Sequence, residues 1–111
     1  MSVDRISAEL TNSAPVFAAL GDPTRLRLVA RLCDGEPLSI TQLASGSRVT
    51  RQAITKHLHV LEDAGLVQGF RKGRQQLWEL NPQQLAAARR YLEQISRQWD
   101  EALARFKEMV E

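Results

Sequence analysis

Between Gly35 and Gly65 the chain interrupts itself every few residues, which leaves room only for short helices set close together. Ser39 and Gln42 have the spacing of a capping box, with Leu38 and Leu43 at the staple positions around it. Gly46 closes the helix so begun. Thr50 can cap a second helix, with Val49 and Ile54 as its staple. Ile54, Leu58 and Leu61 then recur at i, i+4 and i+7, and Gly65 ends the run. Two short helices joined by a tight glycine-containing turn are the spacing of a helix-turn-helix, here over residues 38–64.

The flanks extend this unit. PVFAAL, residues 15–20, reads as a helix that stops at Gly21. Asp22 is a good N-cap, and Pro23 at the first helical position forgoes no needed hydrogen bond. Leu26, Val29, Ala30 and Leu32 are expected to form the apolar face of that next helix, which Gly35 and Pro37 end. After Gly65 the period changes from helical to alternating. LVQGFR and QQLWEL predict two short strands around Lys72-Gly73-Arg74, within a β-wing spanning 66–80. Trp78 and Leu80 would share one face, with Glu79 on the other. Pro82 opens a last helix reaching about Val110. The expected fold is mainly α with a small β-hairpin, a winged helix-turn-helix in one domain of 111 residues.

The last helix carries a separate signal. Leu85, Leu92, Trp99 and Phe106 lie seven apart, and Ala88, Ile95, Ala102 and Met109 follow each by three. Four heptads of this pattern make a seam for another helix, and so small a domain has little core left to cover it. A homodimer contact is therefore expected through 82–110, with Ile95 and Trp99 central. Phe17 on the 14–21 helix is expected in its second layer.

The outward face of the second short helix points to a partner. With Ile54, Leu58 and Leu61 inside, Arg51, Thr55 and His59 form one outer row, and Gln52 and Lys56 the next. The major groove of DNA admits a helix and displays a donor and acceptor pattern unique to each base pair. Arg and Lys suit guanine, Gln suits adenine, and a Thr methyl can meet a thymine methyl. Residues 38–75 carry a formal charge of +4, and the segments on either side −1 each, so the basic part meets the polyanion. Thr50, Arg71, Lys72 and Arg74 are expected phosphate or wing contacts, with Arg48 beside them. The expected partner is double-stranded DNA.

ALGDPTRLRLV, LSITQLA, VTRQAITKHLHVLEDAGLV and RKGRQQLWEL together resemble the arsenic-repressor-like (ArsR) family of winged helix-turn-helix regulators. The resemblance covers about residues 13–80 and extends to the placement of the long final helix. It implies a homodimer with terminal helices at the interface, a recognition helix over Arg51–Leu61, a wing at 71–75, and repression of promoters. The family's metal sensors resemble one another in a thiolate motif on the helix before the recognition helix. The matching stretch here, Leu38–Ala44, has no cysteine, and the terminal helix has no histidine, so no metal and no cofactor are expected.

Other functions have thinner support. His57 and His59 point about 200° apart on a helix and cannot share one ion. His57 is expected at the core edge with one nitrogen hydrogen-bonded. No glycine-rich phosphate loop and no nucleophile–base pair stands out, so no catalytic residue is assigned. Cys33 is expected to be a small buried side chain, with a redox switch as the alternative. As the one cysteine it forms no internal disulfide, which fits a reducing, cytoplasmic setting. The N-terminal MSVDRISAELTNSAP lacks the pattern of a signal peptide, and no apolar run suits a membrane. Two alternatives use the same scaffold: a protein-interaction module, and a sensor gated by redox or by a small apolar ligand between the terminal helices and the domain.

Overall fold

The computed structural model describes residues 13–110. The signal-peptide reading falls mostly on residues 1–12, outside the described residues. The elements are α1 (13–20), α2 (Pro23–Leu32), β1 (Leu38–Ser39), α3 (Ile40–Ala44), α4 (Arg51–Asp63), β2 (Val67–Lys72), β3 (Gln75–Leu80) and α5 (Pro82–Val110).

Local chemistry sets most of these boundaries. The Asp22 carboxylate accepts from the backbone N–H groups of Thr24 and Arg25, at 2.9 and 3.0 Å, and Pro23 follows it. Ser39 and Gln42 cap α3 reciprocally. Thr50 Oγ1 accepts from the Ala53 N–H and caps α4. At the far end of α4, Gly65 takes φ +79°. Its N–H reaches the Glu62 carbonyl, and the Leu66 N–H reaches the Leu61 carbonyl. That pair of bonds is a Schellman closure, and the backbone it needs suits glycine.

The sheet has three antiparallel strands in the order β1-β3-β2, not a hairpin alone. β1 pairs Leu38 with Trp78 and Ser39 with Leu77. Ser39 thus serves a strand and a helix cap at once. The β2–β3 hairpin turns at Gly73-Arg74, with Lys72 opposite Gln75 and Gly73 at φ +63°. Gly69 lies opposite Trp78.

The core gathers Leu43, Ile54, Leu58, Leu61 and Leu66, each 2% exposed or less, with Trp78 closing it from the sheet. α2 contributes Leu28, Val29 and Leu32, whereas Leu26 is 51% exposed and Ala30 is also exposed. The inward face of α2 is therefore rotated from the one expected, and Cys33, at its C-cap, is exposed rather than buried.

Two α2 arginines tie helices together. Arg25 donates to the Ala19 carbonyl at 2.6 Å and approaches His57 Nδ1 at 3.3 Å. Arg31 donates to the Gln42 and Leu43 carbonyls at 2.8 and 3.1 Å. Each cation meets helix-end carbonyls, where the helix dipole is negative.

α5 leaves the domain. Ala88 is buried in the core and Leu85 packs against it. Tyr91 and Ile95 are half-buried, and every residue from Ser96 to Val110 is exposed. The helix of 29 residues runs for about 43 Å and stretches the molecule to 62 × 29 × 21 Å.

Candidate nucleic-acid interface

The surface in question is built on α4, the turn before it, and the wing. Because Ile54, Leu58 and Leu61 are buried, α4 can turn only one way. Arg51, Gln52, Lys56 and His59 are exposed as expected, and Thr55 is half-buried. The Thr55 hydroxyl donates to the Arg51 carbonyl at 2.9 Å. That bond occupies its proton, so the methyl group and the hydroxyl oxygen as an acceptor are what it can offer a partner.

Arg51 departs from simple expectation. At the first position of α4 its charge opposes the helix dipole. Its guanidinium reaches back across the turn and donates to Thr41 Oγ1 at 2.8 Å. The residue thus links the two helices of the motif. His59 is likewise not a free side chain. Its Nδ1 is 3.5 Å from Glu62, and its ring meets Trp78 edge-on, with centroids 5.8 Å apart and planes at 83°. It joins α4 to the base of the wing. His57 is half-buried, 3.9 Å from Asp22 and beside Arg25, which fits a core-edge histidine.

The wing residues Arg71, Lys72 and Arg74 are exposed at the hairpin end, as are Arg48 and Thr50 before α4. Among the described residues no carboxylate pairs with Arg48, Arg51, Lys56, Arg71, Lys72 or Arg74. The formal +4 of this part of the sequence is therefore not neutralised locally.

One stretch went unread in the sequence. Ser39 at the end of β1, with Thr41 and Gln42 on α3, faces Gln75 and Gln76 on β3 across a cleft of about 460 Å³. Thr41 joins this cleft to Arg51. The signal was present as the T-Q and Q-Q pairs at 41–42 and 75–76. Their relevance depends on β1 drawing α3 against β3, and that pairing is non-local.

Residues 20–69 match a helix-turn-helix domain profile. The chain is 38% identical over 95 residues to the HTH-type transcriptional regulator Rv2034 of Mycobacterium tuberculosis, covering 86% of this chain and 85% of that one. It is similar in structure to an ArsR-like transcriptional regulator from Rhodococcus sp. RHA1, with TM-score 0.73 and 37% identity over 92% of this chain and 95% of that one. The chain belongs to the ArsR family of helix-turn-helix transcriptional regulators. A further structure, the homodimeric winged helix-turn-helix DNA-binding domain Mb0332 from Mycobacterium bovis, described as a possible ArsR-family regulator, matches at TM-score 0.64 and 25% identity, covering 88% of this chain and 89% of that one.

The matched residues 20–69 run from the end of α1 through α4 into β2. This is a family of regulators, not of enzymes. Among the described residues no three His, Cys, Asp or Glu side chains gather as a metal site. No helix among them is long and apolar enough to cross a membrane. Along α5, Leu85, Ala86 and Arg89 line an open trough. The more enclosed recess lies elsewhere, between α2 and the α3–α4 turn.

Proposed function

We propose that this ArsR-family chain is a cytoplasmic homodimeric repressor that binds a pseudo-palindromic operator in double-stranded DNA. The observation that carries the reading is the outward row of α4: a mixed set of guanidinium, amide and ammonium groups, held on a helix whose opposite face is fixed by Ile54, Leu58 and Leu61. Arg51, Gln52, Thr55, Lys56 and His59 are the base or near-base readers. Thr50, Arg71, Lys72, Arg74 and Arg48 meet the phosphate backbone. Thr41, Gln42, Gln75 and Gln76 extend that contact between α3 and the wing.

A pair of such units is supported by α5, where Leu92, Trp99, Leu103 and Phe106 are each 52–63% exposed. Side chains this large and apolar are ordinarily covered. The homodimeric Mb0332 domain supports the same arrangement. Phe17, Ile95 and Leu85, all half-buried, lie at the edge of the contact. Paired α4 helices would then enter successive major grooves about 34 Å apart.

Footprinting on the chain's own upstream DNA, followed by a salt titration, tests this. A protected palindrome is expected, with log K falling by roughly 0.9 per phosphate contact as log salt rises. Protection without sequence preference, or binding indifferent to salt, would instead favour a winged module that docks on protein.

A further inference from the structure

The apolar stripe of α5 widens along its length. The position flanking the heptad seam holds Arg89 and Ser96 at first, then Leu103 and Val110. A second α5 would cover the seam rows, such as Trp99 with Ala102, and leave that flank open. Leu103 and Val110 are 52% and 67% exposed. The domain has an uncovered apolar surface of its own. Residues 14–20 of α1 are apolar throughout, yet Ala14, Pro15 and Ala18 are exposed. A helix apolar all round is ordinarily covered all round. Beside them a groove of about 370 Å³ runs between α1 and the C-terminal end of α4. Pro15, Ala18, Ala19, Val60 and Ala64 give it apolar walls, and the exposed Asp63 also lines it. Val60 is 41% exposed; outside α5, the other exposed large apolar side chain among the described residues is Leu26.

We infer that the groove between α1 and α4 seats the C-terminal end of α5 from a second copy of this chain, through Leu103 and Val110. The inference rests on the homodimer reading and adds a docking surface to it, one that includes the back of the reader helix. Three observations lead there. The first is reach. From Ser96 to Val110 the exposed helix runs about 22 Å, comparable with the 29 and 21 Å breadths of the molecule. The second is register. Val110 lies as far beyond Trp99 as Ala88 lies before it, so an antiparallel pair centred on Trp99 sets each Val110 beside the start of the other α5. The start of α5 adjoins the groove, because Gln84 packs 3.0 Å from where a Cβ on Gly65 would be, next to Ala64. A parallel pair would carry both tips away from both domains and leave flank and groove open. The third is charge. Lys107 stands between Leu103 and Val110 on the same side of α5, and Asp63 lines the groove. Neither has an ion-pair partner among the described residues.

The test uses the full chain with Cys33→Ser, and Val60→Cys as reporter; both positions are exposed. Alkylation of the reporter by iodoacetamide should be at least about tenfold slower in the dimer than in the monomer obtained by dilution or by Trp99→Glu. Equally fast alkylation in both overturns the inference, since the groove is then open in the dimer. Equally slow alkylation also overturns it and assigns the cover to the same chain, with residues 1–12 the nearest segment. A second measurement identifies the occupant. Mass-tagged Leu103→Cys, co-expressed with untagged Val60→Cys and mildly oxidised, should give a disulfide-linked heterodimer. Glu101→Cys, on the opposite side of α5, should not. A heterodimer with Glu101→Cys alone, or with neither, overturns the seating of α5. Asp63→Lys should weaken the dimer about threefold in sedimentation equilibrium, and adding Lys107→Asp should restore it. An unchanged dimer, or a loss without recovery, overturns the charge pairing. A dimeric wild type whose Val60→Cys form stays reactive fails this inference alone. A monomeric wild type fails the homodimer reading, and this inference with it.

Discussion

Charge placed at Trp99 should separate the subunits, and the structure sets the scale. Trp99 is 63% exposed, beside Leu92 at 54%, Leu103 at 52% and Phe106 at 60%. Covering a whole side chain of this kind is worth about 1.5–3 kcal/mol, so the exposed part of each is worth about 1–2. A symmetric pair covers these four residues twice, for about 8–15 kcal/mol in total. Association opposes this with about 4–15 kcal/mol of lost freedom, a cost of the same order, so the dimer depends on these four residues. Trp99→Glu deletes two aromatic contributions and sets two carboxylates into an apolar seam. The loss is at least about 3 kcal/mol, or more than a hundredfold in dimer affinity. Sedimentation equilibrium over micromolar concentrations measures it directly. The variant should run as a monomer with unchanged helical circular dichroism, because Trp99 lies beyond the last half-buried turn of α5. Trp99→Phe should stay dimeric, and so should Arg97→Glu, off the apolar stripe. A wild-type mass for Trp99→Glu, or a monomeric wild type, would refute the reasoning.

Further outcomes follow from the same geometry. Gln52→Ala or Lys56→Ala should cost about 1–3 kcal/mol on the operator but little on random DNA; equal losses on both in fluorescence anisotropy would mark them as phosphate contacts. Arg74→Ala should weaken all sequences alike and lower the salt slope by about one. A Cβ at Gly69 would lie 2.6 Å from Gln76 Nε2 and 3.1 Å from the Trp78 ring. The Gln76 tip can move but the buried indole cannot move freely, so Gly69→Ala should cost about 1 kcal/mol or more in urea unfolding. The Arg25 backbone N–H, followed by the Arg25 and His57 charges, holds the Asp22 carboxyl below its ordinary 3.8. A depressed folded value means that this stabilisation is complete above about pH 3.8 and fades as pH falls through the folded value. Thermal melts of Asp22→Asn, which can still cap α2, should show a flatter acid limb than wild type.

How much of this was legible depends on the range of the interaction. Asp22-Pro23, Ser39 with Gln42, and Thr50 each act within three residues, so the sequence displays both partners and the helix starts were readable. The amphipathic face of α4 was readable for the same reason, and with it the outward row of candidate readers. The misses all need a distant partner. β1 is two residues long and exists only because Leu77 and Trp78 lie beside it. The inward face of α2 could be argued from Leu26 or from Leu28, and only the rest of the core selects Leu28. The heptads of α5 read as one seam. The structure divides them: Leu85 and Ala88 pack within the domain, while the stripe from Leu92 onward stays open and takes in Leu103 and Val110. That division matters for function. A helix anchored at its start and open beyond it can dimerise without disturbing the core that orients α4. The same separation holds at the other end of the motif. Arg31 fixes the end of α3, and Arg51 bridges from α4 to Thr41, so the angle between the two helices rests on a few exposed polar contacts rather than on packing alone. An angle held that way depends on Thr41 and Arg51 as much as on the buried Leu43 and Ile54 beneath them.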